Sequence, residues 1–176
     1  MKARPVIQLR KLEWSDSDGV YELLSRLDVV RYMRFPVCSR EESEQFLRDS
    51  RAESDSAAGT SIVRAICDCS GGGLVGLCGL AMVRGSEEGE IWYLLAREEW
   101  GKGYATAAAR QLLKMGFREF GLHRIWATCL PENPASGRVL EKAGMRREGL
   151  LVKRERIHGE WRDCWLYAMV EEEFHG

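Results

Sequence analysis

Two glycines flank a lysine in the run Trp100-Gly101-Lys102-Gly103-Tyr104-Ala105-Thr106, directly ahead of a helical pattern. Glycines there let the backbone turn tightly and remove side chains that would keep an anion at a distance. The first N–H groups of a helix have no internal partner, and the helix dipole favours negative charge at that end. In physical terms the loop can cradle a pyrophosphate. A lone G-x-G is equally a tight strand-to-helix turn that binds nothing. A dinucleotide fingerprint fits poorly, because its third glycine is missing and no acidic residue closes a second strand about 20 residues on. A nucleoside triphosphate loop also fails, since Gly103 follows Lys102 where Ser or Thr is needed. Two further places can carry chemistry. Asn133 is a strong helix N-cap with Ser136 in the first turn after it, so capping alone accounts for them locally. Glu90 heads an apolar strand, as a strand-edge charge or as a base.

The elements that position these residues follow from periodicity. Val6 to Arg10 alternates as a first strand. Ser15 or Asp16 caps a helix to about Arg26 with Val20, Leu23, Leu24 and Leu27 on one face. Val29 to Phe35 is a short aromatic stretch stopped by Pro36. Ser39 with Glu42 forms a capping box, and the helix it opens carries Phe46 and Leu47 inward to near Ser54. The run 54–59 reads as a loop. Thr60 to Cys69 and Leu74 to Val83 form a hairpin around Ser70 to Gly73, and Glu90 to Ala96 is a short bulky strand. Gly103 to Phe120 is the strongest helix, its stripe running through Ala105, Ala109, Leu112, Leu113, Gly116, Phe117 and Phe120. Gly121 closes it. His123 to Leu130 is a strand, Asn133-Pro134 opens a helix that Gly144 ends, and 146–157 with 161–170 make a last hairpin around His158-Gly159. Such an order packs as a mixed sheet with helices on both faces, in one domain over residues 1–176.

Composition sets outer limits. The 176 residues are enough for one core. A formal net charge of −1 gives no global field for nucleic acid or an acidic membrane. The run MKARPVIQLRKLEW has no apolar core of signal-peptide length and no stretch is apolar enough to span a membrane, so a soluble protein is expected. The six cysteines include no C-x-x-C pair and the three histidines are scattered, so no metal site is expected. Cysteines in apolar strands pack as small hydrophobes, and a reducing, cytoplasmic compartment is the default expectation.

Several separated motifs then occur in one order. The run EIWYLLAREEWGKGYATAAARQLLKMGF, followed by GLHRIWATCLPENPASGRVLEKAGMRREGLL, resembles the GNAT acetyltransferase superfamily, nearest the branch of ribosomal-protein N-terminal acetyltransferases. DVVRYMRFPVCSREESEQFL and GEWRDCWLYAMVEEEF extend the likeness over nearly the whole chain.

The resemblance implies an α/β fold with a mostly antiparallel sheet of about seven strands and a splayed central pair. It implies acetyl-CoA as co-substrate, with Trp100, Gly101, Lys102, Gly103, Tyr104, Ala105 and Thr106 at its pyrophosphate. Backbone groups of Leu94, Leu95 and Ala96 would pair with the pantetheine arm, and Asn133 and Ser136 would contact it. Glu98 stands where the superfamily usually has Gln or Arg, and is left out of the site. Glu90 is the expected base near the acceptor amine, and Ser136 the expected hydrogen-bond donor to the departing sulfur. Trp92 replaces the usual glycine of E-I-G-Y. Tyr93 and Tyr104 are weaker alternates, more simply packing or cofactor contacts. Trp14, Arg31, Tyr32, Phe35 and Trp161 are candidates for lining the acceptor pocket. The acceptor is a protein N-terminal α-amine or a small-molecule amine, with no nucleic acid or membrane partner, and the protein a monomer or homodimer. The alternative is a non-catalytic acyl-CoA-binding sensor.

Overall fold

The computed structural model describes residues 5–55, 59–71 and 73–175. Its strands are β1 (Ile7–Arg10), β2 (Ser61–Asp68), β3 (Leu74–Met82), β4 (Glu88–Leu95), β5 (Arg124–Cys129), β6 (Arg146–Ile157) and β7 (Glu160–Val170). They form one sheet in the order β1-β2-β3-β4-β5-β7-β6. Neighbouring strands are antiparallel except β4 and β5. That exception is short. β4 meets β5 only at Glu88–Arg124, Gly89–Ile125 and Glu90–Trp126. Beyond Glu90, β4 stays paired with β3 as far as Leu95, and β5 stays paired with β7 as far as Cys129. The central pair is therefore splayed.

Side-chain alternation sends each strand's apolar residues to two faces, and helices cover both. On one face Ile66, Leu80, Ile91 and Ile125 pack against α4 (Tyr104–Arg118) and α5 (Pro134–Ala143). Leu112 and Leu113 of α4 are fully buried there, each worth about 1.5–3 kcal/mol of apolar burial. On the other face Val63, Ala65, Leu77 and Leu94 meet α1 (Ser17–Leu24), α2 (Leu27–Val30) and α3 (Arg40–Asp55). The α3 capping box forms as expected: Glu42 N–H donates to Ser39 Oγ at 3.2 Å and Ser39 N–H to Glu42 Oε2 at 2.7 Å.

Some boundaries differ from the sequence reading. Leu27–Val30 is a helical turn of its own, with Val29 and Val30 buried; four residues are too few to show a period. β4 starts at Glu88, two residues early. α4 stops at Arg118, so Phe120 leaves the apolar stripe and is 38% exposed. Helix α3 runs on to Asp55, and residues 56–58 of the expected loop, like Gly72 of the expected turn, lie outside the described residues. Among the described residues no helix is long and apolar enough to cross a membrane.

The tryptophan in place of glycine at position 92 has a local answer. Trp92 pairs across the sheet with Gly79. A Cβ on Gly79 would stand 2.6 Å from the Trp92 ring and 2.7 Å from the Ile62 carbonyl. Gly79 has no side chain, and the indole lies on its bare backbone. Gly79→Ala should therefore crowd the Trp92 ring and the Ile62 carbonyl and lower stability by about 1–3 kcal/mol, measured as a lower urea midpoint at unchanged slope.

Candidate functional site

Splaying leaves one edge of β4 without a strand partner beyond Glu90. In an antiparallel ladder, successive residues turn their N–H and C=O to opposite sides. Ala96 donates its N–H to the Val75 carbonyl at 3.0 Å, on the β3 side. The same alternation puts Leu94 on the β3 side and turns the N–H groups of Tyr93 and Leu95 into the gap. The Leu95 carbonyl accepts from the Trp100 indole at 3.1 Å. Of Leu94, Leu95 and Ala96, then, Leu95 is the residue whose N–H faces the gap.

After β4 a 3₁₀ turn over Arg97–Glu99 leads to the glycine loop. Gly101 has φ +77° and Gly103 φ +93°, the left-handed region that side chains disfavour. Gly103 is the N-cap of α4, and no side chain caps that helix and no acidic residue stands in its first turn. The entrance thus presents donors to an anion. Trp100 is half-buried beneath Arg97, whose guanidinium lies 4.3 Å from the ring centroid. Lys102 is exposed and paired with Glu99 at 2.9 Å. Glu98 points away, pairing with Arg26 at 2.8 Å.

The gap opens into two cavities of about 140 Å³ each. The first runs along Leu94, Leu95, Trp100, Gly101 and Ala105 to Asn133 and Ser136. Ala96, Lys102, Gly103, Tyr104 and Thr106 do not line it. Tyr104 is buried in the core and its hydroxyl donates to Asp68 at 2.9 Å, so its side chain is an anchor for the helix. The second cavity lies among Glu90, Trp92, Thr128, Cys129 and Arg34. Tyr32, Met33, Tyr93, Asn133 and Ser136 border both.

Tyr93 and Ser136 meet where the two cavities join. The Tyr93 hydroxyl lies 2.9 Å from Ser136 Oγ and 3.1 Å from the Ser136 carbonyl. Burial pushes the Tyr93 phenol above its ordinary value, and the Ser136 hydrogen bond pulls against it. It is therefore a neutral O–H at physiological pH. Asn133 caps α5 as expected, its Oδ1 accepting from Ser136 N–H at 3.3 Å. Capping and cavity lining coincide in the same residue.

Glu90 is held by Arg34, at 2.5 Å and 3.1 Å to its two oxygens. Arg34 also grips Glu155, at 2.6 Å and 2.9 Å. Sequence reading missed both partners, which lie 56 residues before Glu90 and 65 after it; no local pattern links such positions. Of the residues expected to line an acceptor pocket, Tyr32 borders both cavities. Phe35 packs with the helices over β2 and β3. Arg31 stacks on Tyr32 beside the last hairpin. Trp14 stacks with Arg51 and Trp161 is 60% exposed, and neither borders the two cavities. Among the described residues no cluster of His, Cys, Asp or Glu is placed to hold a metal ion.

Comparison with known proteins agrees with this geometry. Residues 7–146 match the acetyltransferase (GNAT) domain. The uncharacterized N-acetyltransferase YnaD of Bacillus subtilis is 36% identical over 95% of each chain. The spermidine N(1)-acetyltransferase of Escherichia coli is 27% identical over 96% of this chain and 88% of its own. The structure of Mycobacterium smegmatis RimJ in complex with CoA-disulfide superposes with a TM-score of 0.87 at 27% identity, over 98% of this chain and 86% of that one.

Cys129 borders the second cavity, so a thiol route needs a test. Burial raises its pKa to about 11, which leaves almost no thiolate at neutral pH. Iodoacetamide at neutral pH should label exposed Cys69 and spare Cys129 in a peptide mass map. Rapid labelling of Cys129 would reopen a covalent route.

Proposed function

Because the chain belongs to the GNAT acetyltransferase family and is an N-acetyltransferase, we propose that it moves an acetyl group from acetyl-CoA to a primary amine in one direct step. The acceptor is a protein N-terminal α-amine or a small-molecule amine. The observation that carries this reading is the gap between β4 and β5, which joins an uncapped helix entrance at one end to a carboxylate at the other.

The α4 entrance fits a diphosphate by its donor set: main-chain N–H groups, two left-handed glycines and no acidic first turn. A Gly101 Cβ would meet nothing within 4 Å, so close backbone approach from solvent is open there. The free edge of β4 fits an extended amide-bearing arm, which would pair as a strand does. Lys102 is paired with Glu99, and the grip on phosphate is assigned to the backbone rather than to that ammonium.

In the transfer itself the uncharged amine attacks the thioester carbonyl, the C–S bond breaks and coenzyme A leaves as its thiolate. The chain has three tasks. A gap-facing N–H of β4 donates to the carbonyl oxygen as it gains charge, the kind of preorganised donor that supplies much of catalysis. Glu90 receives the amine's proton, directly or through a water, since each oxygen that Arg34 engages keeps a second lone pair. Ser136 donates a hydrogen bond to the departing sulfur. A serine hydroxyl is a poor acid, and Tyr93 answers this deficit. When the phenol donates to Ser136 Oγ, the serine proton is free to point at the sulfur. When the phenol donates to the Ser136 carbonyl, it is not.

These roles separate in measurement. Acetyl-CoA should raise the melting temperature where NAD and ATP do not. An amine should then release free thiol; binding without release marks a sensor instead. Glu90→Gln should cut kcat by about 100-fold with acetyl-CoA binding retained; full activity would dismiss Glu90 as the base. Tyr93→Phe and Ser136→Ala should each lower kcat about tenfold, and the double variant little further, because they act as one unit.

A further inference from the structure

The second cavity holds a charge arrangement that acetyl transfer does not require. Arg34, in the segment after α2, reaches Glu90 on β4 and Glu155 on β6. Its Nη2 donates to both carboxylates, at 2.5 Å to Glu90 and 2.9 Å to Glu155. Nη1 donates to Glu90 at 3.1 Å and Nε to Glu155 at 2.6 Å. A guanidinium has five N–H donors, so four are spent on the two carboxylates. Arg34 has no free fork left to recruit an anionic substrate. It fills the space between the two carboxylates.

Glu155 is brought there on purpose by the strand. β6 slips register against β7 between Leu151 and Glu155, with Lys153 at φ 48° inside the slip. A bulge of this sort re-aims the next side chain. Glu155 is turned inward and is 8% exposed, where a carboxylate without a cation would be costly. Arg34, by contrast, keeps half of its side chain exposed. Arg34 borders the second cavity, while Glu155 is more deeply buried and lies outside its lining.

Resting on the reading of this cavity as the acceptor side, we propose that Arg34 is a specificity-determining residue that stands in for a second substrate ammonium, so the enzyme favours acceptors with one cationic group over diamines and polyamines. The charges decide it. Two carboxylates and one guanidinium leave a single negative charge, enough for one ammonium. A second ammonium would have to displace Arg34. The tethered group competes at an effective concentration of about millimolar or more. Its planar fork also holds carboxylates in pairs of hydrogen bonds, which an ammonium cannot match. The acceptor class that fits is the α-amine of a peptide with an uncharged first side chain, or a simple alkylamine. The spermidine N(1)-acetyltransferase relative shares the fold, and the proposal is that this chain has closed that choice with its own side chain.

Pentylamine and 1,5-diaminopentane test this, because they share a chain length and differ by one ammonium. The wild type should show the higher kcat/KM with pentylamine. Arg34→Gln should shift the ratio about tenfold towards the diamine, the worth of one charge-assisted hydrogen-bonded site. Arg34→Gln combined with Glu155→Gln should bring it back, since one acid then remains. A merely structural clamp would move both amines together and leave the ratio unchanged, which would overturn the proposal. If turnover is too slow, calorimetric binding of the two amines to CoA-loaded protein reads the same ratio; an unmoved ratio there also overturns it. Failure of CoA itself to bind would instead reject the acetyl-transfer reading.

Discussion

Everything in this molecule depends on the brevity of one strand pairing. β4 and β5 share three residue pairs and then part. Continued pairing would satisfy more backbone groups and is the expected course for two central strands. Past that point β4 follows β3 to Leu95 and β5 follows β7 to Cys129, so the two strands diverge. The N-terminal end of α5 then stands at the parting, and Tyr93 reaches across it to Ser136. A hydrogen-bonded prop therefore replaces a ladder. The same opening exposes N–H groups of β4, gives the first cavity its length, and sets the phenol beside the serine.

The charged network on the acceptor side does for the outer elements what the prop does for the inner ones. Arg34 connects the helical segment, the central strand and the C-terminal hairpin through two carboxylates. Burial works against the Arg34 charge, but the hydrogen bonds it donates to Glu90 and Glu155 outweigh that and raise its pKa. Its value lies less in net stability than in geometry, because partly buried ion pairs roughly break even against desolvation. What it fixes is where Glu90 points. The residue assigned to take the proton is thereby tied to the residue assigned to choose the acceptor.

Much of this was legible in the sequence, for physical reasons that can be named. The capping box at Ser39, the Asn133-Pro134 entrance and the left-handed glycines at 101, 103 and 144 are local features. Each is set by a few neighbouring residues, so a window of sequence contains its cause. The buried stripe of α4 is equally local, until Phe120, where the helix ends before the periodicity does. The illegible part is non-local. That Gly79 makes room for Trp92 depends on cross-strand register. That Ala96 spends its N–H on Val75 depends on which side of the ladder is open. That Tyr104 is an anchor to Asp68 depends on a hairpin 36 residues away. Arg34 and Glu155 are the extreme case, separated by 121 residues.

This division also says where function in such a chain can change. The glycine entrance presents main-chain N–H groups, so most side-chain substitutions around it leave those donors in place. The acceptor side is built from single side chains that arrive from distant segments, and each can be replaced without disturbing the sheet. On the central strand, Trp92 lies on the bare backbone of Gly79 across the ladder. In this chain one guanidinium, from Arg34, lies between the carboxylates of Glu90 and Glu155 and joins three distant segments.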